Sequence, residues 1–393
     1  MSTTSNKESE TKFNKLANSL KSSFLPSTGL EVDQESNLSI KSLRAQEWKK
    51  YRVEYFVFRH HLENSSILST QASDKFNLIR LSDLSVKLQV LDLKKQILVP
   101  ENTYIAEIAC IDEATQNGEF INEVDLEGNL LGSVSDPLAS RYILDIAGSG
   151  AVTYICRENT ENQLDIEDIL DLEEQKLNDL ASRFAHWVQA KSIKKLTVTY
   201  HCGCGAVSLR KSNLSEILKT QSNIDIARNC ATRLAKKIEK FSYEINHTLH
   251  LTVAYIGNDQ ICKLRPMQMH NALGTIVCLD SRVVGKAIDK VSSINFFDIL
   301  AYSDFKVGAI SSKYQLDVID SAAQNIYLSM QIAMGEHGWG GQVFTYHNPY
   351  LILLFTKDTT QLKEAQLIIK KLEELVGFEM FEKLNCYIVQ NDL

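Results

Sequence analysis

The 393-residue sequence has no apolar run long enough to cross a bilayer, and its polar first residues lack the apolar core of a secretory signal. It also lacks an excess of basic residues, because the formal net charge is −7 at pH 7. An acidic chain argues against nucleic acid or an anionic membrane as a general partner. With 44% apolar and 23% charged residues, the composition is that of a soluble globular protein. We therefore predict a cytoplasmic protein without a membrane span.

Closely paired metal ligands are also scarce. The eight cysteines are scattered along the chain, and neither a C-x-x-C nor an H-x-x-x-H pair occurs. In a protein that is not secreted, scattered cysteines indicate free thiols or metal ligands rather than a disulfide framework. A structural zinc held by four protein ligands usually needs two short-spaced ligand pairs, so we do not expect one here.

The patterning along the chain predicts an α/β protein with mostly parallel sheets. A chain of this length can bury two cores. Strands alternate with long amphipathic helices from residue 101 onward, which is typical of βα units. We predict a disordered tail at 1–40, a short helical segment with an aromatic face at 41–100, and two βα domains at 101–245 and 246–393.

The two predicted domains show weak internal similarity. EIACIDEAT in the first resembles TIVCLDSRV in the second, and VTYHCGCGA resembles FTYHNPYLI. This similarity suggests two copies of one βα unit. The pairing places His347 opposite His201 and Cys278 opposite Cys110.

Candidate metal ligands follow two strands of the first copy. His201 and Cys204 lie three residues apart in a glycine-bearing loop, a spacing at which both can bind one zinc ion. Cys110, at the end of its own strand, is the natural third ligand. Three protein ligands leave one position for water, which is the arrangement of catalytic zinc. Asp112 would point toward that position.

The set Cys110-x-Asp112 and His201-x-x-Cys204-Gly-Ala resembles the motifs of the β-class carbonic anhydrases. That family binds zinc through Cys, His and Cys in this chain order. YICRENTEN, which contains Arg157, is a loose counterpart of a further family segment between the two motifs. The tandem arrangement and polar tail look most like the carboxysomal shell branch, in which only the first of two fused domains keeps a full metal site.

The resemblance implies a lyase that converts carbon dioxide reversibly to bicarbonate. Zn²⁺, held by Cys110, His201 and Cys204, would present hydroxide near neutral pH, because zinc lowers the pKa of bound water to about 7. Asp112 would accept the hydroxide proton, and an arginine such as Arg157 would hold Asp112. We also expect a homo-oligomer, a protein partner for the N-terminal tail, and a location within a protein microcompartment.

The two copies depart from the family pattern in different ways. The family motif reads C-x-D-x-R, but Ala114 stands at the arginine position of the first copy. Without Arg141, Arg157 or Arg282 in its place, Asp112 would bind zinc and close the site. The second copy keeps the motif at Cys278, Asp280 and Arg282, but its histidine segment reads His347-Asn-Pro-Tyr350. We predict that the second copy binds no metal.

Alternative readings remain open. Taken singly, Cys110 is typical of a core thiol, His201 of a strand-end histidine bonded to backbone, and Asp112 of a turn residue. The chain could accordingly be a catalytically inactive carbonic-anhydrase-like protein that acts in assembly or partner binding. A different zinc hydrolase on the same scaffold is the third alternative, because a fold does not fix a chemistry.

Overall fold

The computed structural model divides the chain into two compact units, which we treat separately. Unit 1 comprises residues 1–25, 101–268 and 305–315, and unit 2 comprises residues 26–100, 269–304 and 316–393. The structure describes residues 34–67, 76–88, 104–109, 121–124, 130–134, 142–145, 166–201, 222–256, 271–280, 282–283, 288, 291–301, 318–335, 338–340 and 343–392.

Unit 1 contains a six-stranded sheet in the order β5-β4-β8-β7-β3-β6. The four strands β8, β7, β3 and β6 run parallel, whereas β4 is antiparallel to both β8 and β5. Two helices, α3 and α4, pack together and α4 also packs on β7 and β8. The elements are β3 Ile105–Ala109, β4 Ile121–Val124, β5 Leu130–Val134, β6 Tyr142–Asp145, α3 Ile166–Ala190, β7 Lys195–His201, α4 Asn223–Glu244 and β8 His250–Ile256.

Unit 2 contains a second six-stranded sheet, in the order β1-β2-β12-β11-β9-β10. All neighbours are parallel except β1 and β2. The elements are α1 Gln34–Ser65, β1 Ser66–Ile67, β2 Phe76–Arg80, α2 Leu81–Lys87, β9 Gly274–Cys278, β10 Phe296–Leu300, α5 Val318–Met334, β11 Tyr350–Thr356, α6 Thr359–Val376, α7 Phe378–Phe381 and β12 Leu384–Gln390.

The predicted α/β class with mostly parallel sheets is therefore confirmed. Three segments are arranged differently from the sequence prediction. Residues 34–40, which we assigned to a disordered tail, form the start of helix α1. Strand β8, which we assigned to the second copy, pairs with β7 in unit 1. The segment 41–100 is not only helical, since β2 extends the sheet of unit 2 beside β12. Among the described residues, no helix is long and apolar enough to span a membrane.

The two sheets share their strand order, and their four parallel strands share their register. Strands β6, β3, β7 and β8 correspond in sheet order to β10, β9, β11 and β12. In each sheet, one residue of the second strand pairs with the first residue of the edge strand on one side and with the second residue of the third strand on the other. That residue is Ala106 in unit 1 and Gly274 in unit 2. The correspondence rests on pairing alone and identifies equivalent positions in the two sheets.

Helix α1 packs on unit 2 through its aromatic residues, as the predicted aromatic face indicated. Phe58 packs edge-on against Phe296 of β10, and Trp48 packs edge-on against Trp339. The Tyr55 hydroxyl donates a hydrogen bond to the Pro349 carbonyl oxygen. Burial is the main reason that the pKa of Tyr55 lies well above its ordinary value. The helix thereby holds the loop that precedes β11.

Replacing Tyr55 with phenylalanine should destabilise this attachment by about 1–2 kcal/mol, because a buried carbonyl oxygen loses its donor. Faster amide hydrogen exchange in residues 343–356 would report the loss. Tyr51→Phe is the matched control, since no hydrogen bond from the Tyr51 hydroxyl is found within the described part of the chain. Equal exchange in both variants would contradict the prediction.

Candidate functional site

Of the five residues assigned to the predicted site, the structure describes only His201, the last residue of β7. Cys110, Asp112, Arg157 and Cys204 lie outside the described residues. The structure therefore shows the strands that precede the two motifs in the sequence. Of the C-x-D-x-R motif in unit 2, it describes Cys278, Asp280 and Arg282.

The two strands that lead to the predicted ligands are neighbours. Strand β3 pairs in parallel with β7 from Ile105 opposite Lys195 to Ile108 opposite Val198. Because parallel neighbours have their carboxyl ends at the same end of a sheet, β3 and β7 both end there. In the sequence, Cys110 comes directly after the end of β3. Ligands at the carboxyl ends of parallel strands are typical of α/β sites.

His201 belongs to a row of buried polar side chains on one face of the sheet. Its side chain is 4% exposed. Because side chains alternate along a strand, Thr197 and Thr199 lie on the same face as His201. Register adds Glu107 and Thr252 at the level of Thr197. All of these residues are buried. A buried imidazole at a strand end fits the nitrogen donor that a zinc site needs.

Two hydroxyl groups in this row join neighbouring strands. The Thr199 hydroxyl donates to the Ile108 carbonyl oxygen at 3.1 Å, which links β7 to β3. The hydroxyl groups of Thr197 and Thr252 lie 3.1 Å apart, which links β7 to β8. The sequence analysis did not single out these threonines. Their alternation with apolar residues was visible, but the partners across the sheet were not.

In unit 2, the aspartate and arginine of the C-x-D-x-R motif form an ion pair whose carboxylate is buried and whose guanidinium is half-exposed. The Arg282 guanidinium binds the Asp280 carboxylate through Nε at 2.9 Å and Nη2 at 2.8 Å. The Arg282 backbone N–H at 3.0 Å and the Asn391 side-chain amide at 3.2 Å complete four donations. The Asp280 side chain is fully buried, whereas that of Arg282 is 48% exposed. Each of the two carboxylate oxygens therefore accepts two hydrogen bonds.

The ionisation of Asp280 follows from these contacts. Burial alone would raise its pKa, but the hydrogen bonds from Arg282 and Asn391 outweigh burial and hold the pKa below its ordinary value. The same pair raises the pKa of Arg282. Asp280 is thus held as a carboxylate at neutral pH, bonded to an arginine. Asn391, which lies after β12, was not identified from the sequence because it is 111 residues away from Asp280.

The shared register corrects the pairing of His347 with His201. Strands β7 and β11 each have seven residues, and each starts opposite the first residue of its next neighbour. The counterpart of His201 is therefore Thr356, at the end of β11. His347 instead precedes β11, so it lies at the opposite end of that strand from Cys278. The pairing of Cys278 with Cys110 agrees with the register, since each stands four residues after the equivalent positions Gly274 and Ala106.

The FTYHNPY segment serves a structural purpose in unit 2. The His347 side chain is exposed, and its carbonyl oxygen accepts a hydrogen bond from Arg59 of α1. The Tyr350 hydroxyl lies 2.6 Å from the Thr275 hydroxyl inside the core. This loop attaches α1 to the amino end of β11, and its likeness to the His201 segment is a coincidence of sequence.

Within the described ranges, no group of three or more histidine, cysteine, aspartate or glutamate side chains could hold a metal ion. Four of the five predicted site residues lie outside those ranges, among them two of the three predicted zinc ligands, Cys110 and Cys204. Comparison with known proteins gives no match to a family model, to a curated protein or to a solved structure.

Proposed function

We propose that this protein is a zinc-dependent carbonic anhydrase of the β-class type, which converts carbon dioxide reversibly to bicarbonate. Cys110, His201 and Cys204 would hold the zinc ion. The observation that supports the proposal is the parallel pairing of β3 with β7, because these are the two strands that the C-x-D and H-x-x-C motifs follow in the sequence. The buried imidazole of His201 fits this donor set.

The ion pair of unit 2 supports the assignment of the C-x-D motif. There the aspartate is buried, ionised and held by hydrogen bonds. We propose that Asp112 has a comparable position in unit 1 and accepts a proton from the nucleophilic water. Zinc, when bound, would make that water nucleophilic near neutral pH. Arg157 is the proposed partner that orients Asp112.

We also propose that the two units are copies of one βα domain, since strand order and register agree in both. Unit 2 would be the degenerate copy, with Thr356 where unit 1 has His201. The remaining features of the proposal follow the family resemblance: a homo-oligomer, a cytoplasmic or microcompartment location, and a protein partner that binds the N-terminal tail.

Metal analysis and stopped-flow carbon dioxide hydration test the function. We expect close to one zinc per chain in purified protein, and hydration activity that is lost on chelation and returns with zinc. Protein without bound zinc that does not take up added zinc would overturn the proposal. Bound zinc without hydration activity would support the zinc site but exclude carbonic anhydrase activity.

The second candidate is a catalytically inactive relative that acts in assembly or partner binding. The sequence difference that favours it is Ala114, because the equivalent position in unit 2 holds Arg282, which binds Asp280. An Asp112 that lacks such a partner would bind zinc itself and exclude water. Bound zinc with no hydration at any pH would support this candidate.

Ala114→Arg distinguishes a closed site from an open one. In a site closed by Asp112, an arginine at this position should bind Asp112 as Arg282 binds Asp280 and raise hydration activity at pH 7 roughly tenfold, equivalent to about 1.4 kcal/mol. In a site where Arg157 already holds Asp112, as proposed above, hydration activity should not change. The gain should shrink at alkaline pH, where hydroxide displaces the carboxylate from the metal. Ala114→Met is the control for size without charge. A pH–rate profile unchanged by Ala114→Arg would show that another arginine already holds Asp112.

A further inference from the structure

The exposed side of helix α1 carries apolar residues, opposite the aromatic residues that pack on unit 2. Val53 is 67% exposed, Val57 50% and Phe56 38%. Residues three and four apart lie side by side on a helix surface, so these three residues form one apolar patch. A helix that is apolar on both sides usually has both sides covered, and an exposed apolar patch is typical of a protein–protein contact.

Charged residues stand beyond both ends of this patch on the same side of α1. Lys49 precedes Phe56 by seven residues, and Glu63 follows Phe56 by seven. Residues seven apart differ by only about 20° around a helix, and each charged residue lies about 10 Å along the helix axis from Phe56. Both charged residues are exposed. The exposed side of α1 is therefore basic at one end and acidic at the other, with Phe56 at its midpoint.

This arrangement of charges is complementary to itself when the second helix runs in the opposite direction. If two α1 helices lie antiparallel with their Phe56 residues at the same level, Lys49 of each copy lies level with Glu63 of the other. A parallel pair would instead place like charges together, which is unfavourable. A surface that fits a copy of itself about a twofold axis is the commonest basis of homo-oligomers.

We propose that the exposed side of α1 is a dimerisation surface, on which α1 of a second copy packs antiparallel. Val53, Phe56 and Val57 supply the apolar contact, and Lys49 and Glu63 set the direction of the helices. The inference gives a surface and a direction to the homo-oligomer of the proposed function. Its evidence is independent of the zinc site, because α1 belongs to unit 2 and the predicted zinc ligands belong to unit 1.

Phe56→Glu tests the apolar patch. Two carboxylates would meet on the twofold axis, so we expect the dissociation constant of the dimer to rise about 100-fold. Leu367→Glu is the matched control, since Leu367 is a 49% exposed apolar residue on helix α6 of the same unit. Leu367→Glu should leave the dissociation constant unchanged. The circular dichroism and melting temperature of each variant show whether it is folded like the parent.

Reversal of the charges tests the direction of the helices without disturbing the apolar patch. Lys49→Glu should weaken dimerisation about tenfold, because carboxylates would then lie at the same level at both ends of the contact. The double variant Lys49→Glu/Glu63→Lys should return to within about threefold of the parent, because opposite charges meet again. Glu63 also pairs with Arg59 of its own helix at 2.7 Å, but an exposed pair of this kind contributes little to stability.

Sedimentation equilibrium of the full chain measures the dissociation constant, which we expect near about 10 µM for so small an interface. The mass should rise with concentration from 44.4 kDa toward twice that value. Weaker dimerisation in Phe56→Glu and Lys49→Glu, no change in Leu367→Glu and recovery in the double variant would support the inference.

A parent protein that stays monomeric up to about 200 µM, roughly 20 times the expected dissociation constant, would overturn the inference. An oligomer that Phe56→Glu leaves intact would also overturn it, and would leave the homo-oligomer of the proposed function standing on another surface. Failure of the double variant to recover would overturn the antiparallel packing. Zinc content, measured in parallel, should be equal in the parent and in Phe56→Glu, so a parent without zinc would count against the proposed function and not against this surface.

Discussion

Replacing Arg282 with leucine is expected to destabilise unit 2 by about 2–3 kcal/mol at neutral pH and to reverse the pH dependence of its stability. Removing one partner of a fully buried ion pair costs roughly 3–5 kcal/mol, because the other charge stays buried without compensation. We expect less here because the Arg282 side chain is 48% exposed, so water already screens part of the interaction. The carboxylate of Asp280 is fully buried and carries the penalty.

The reversal follows from the pKa of Asp280 in the folded state. In the parent protein this pKa is lowered, so the pair contributes its full stability above the unfolded value of about 3.9 and loses it as the pH falls through the folded pKa. Without the guanidinium, the bonds from the backbone N–H of residue 282 and from Asn391 remain, and we expect burial to outweigh these two bonds and raise the pKa of Asp280. The folded variant then binds a proton more tightly than the unfolded chain, and its stability falls as pH rises above about 4.

Amide hydrogen exchange of β9 and β11 between pH 4 and 8, corrected for intrinsic exchange rates, would measure both effects locally. The deficit of Arg282→Leu should be smallest near pH 4 and grow toward neutral pH. Arg228→Leu in unit 1 removes the partner of Asp225 in an exposed pair, with both side chains nearly half exposed. It should cost no more than about 0.5 kcal/mol. A constant deficit for Arg282→Leu across this pH range would show that Asp280 is not responsible.

The sequence was sufficient for those features that depend on neighbours along the chain. Alternation of strands with long amphipathic helices predicted the α/β class, and α3 and α4 are two such helices. The likeness of EIAC to TIVC predicted equivalent strands, and the register of β3 and β9 agrees with it. Strands β7 and β11 each stand between two long helices in the chain, which could be recognised by their period.

Features that depend on distant partners could not be predicted in the same way. His347 lies in a T-Y-H segment like that of His201, but the strand follows His347 and precedes His201. Three identical residues do not reveal whether they stand before a strand or at its end. The extension of the sheet by β2 depends on pairing with β12, more than 300 residues later. Asn391 reaches Asp280 over 111 residues for the same reason.

The candidate site is intermediate between these cases. Its donor types and their order along the chain were read from the sequence, and the pairing of β3 with β7 supplies a reason for Cys110 and His201 to lie near one another. Thr199 and its bond to Ile108 were not predicted, because a threonine in a strand is typical whether or not its hydroxyl bonds a neighbour.

Replacing His201 with alanine should abolish zinc binding and carbon dioxide hydration, and replacing His347 with alanine should affect neither. Both histidines follow a Thr-Tyr pair, so sequence alone does not rank them. The structure places His201 buried at the carboxyl end of β7 and His347 exposed before the amino end of β11. Parallel strands present ligands at their carboxyl ends, so we expect a metal ligand at the position of His201 and not at that of His347.

The expected magnitudes differ widely. Residues that merely orient a ligand are worth about 10- to 100-fold in metal affinity, so loss of the His201 imidazole should cost more than roughly 100-fold. Zinc per chain should fall to background in His201→Ala and in Cys204→Ser, and hydration should fall with it. His347→Ala should retain the zinc, the activity and the stability of unit 2, because Arg59 binds its backbone carbonyl oxygen and not its ring. Zinc retained by His201→Ala and lost from His347→Ala would move the metal to unit 2 and refute the assignment of ligands by strand register.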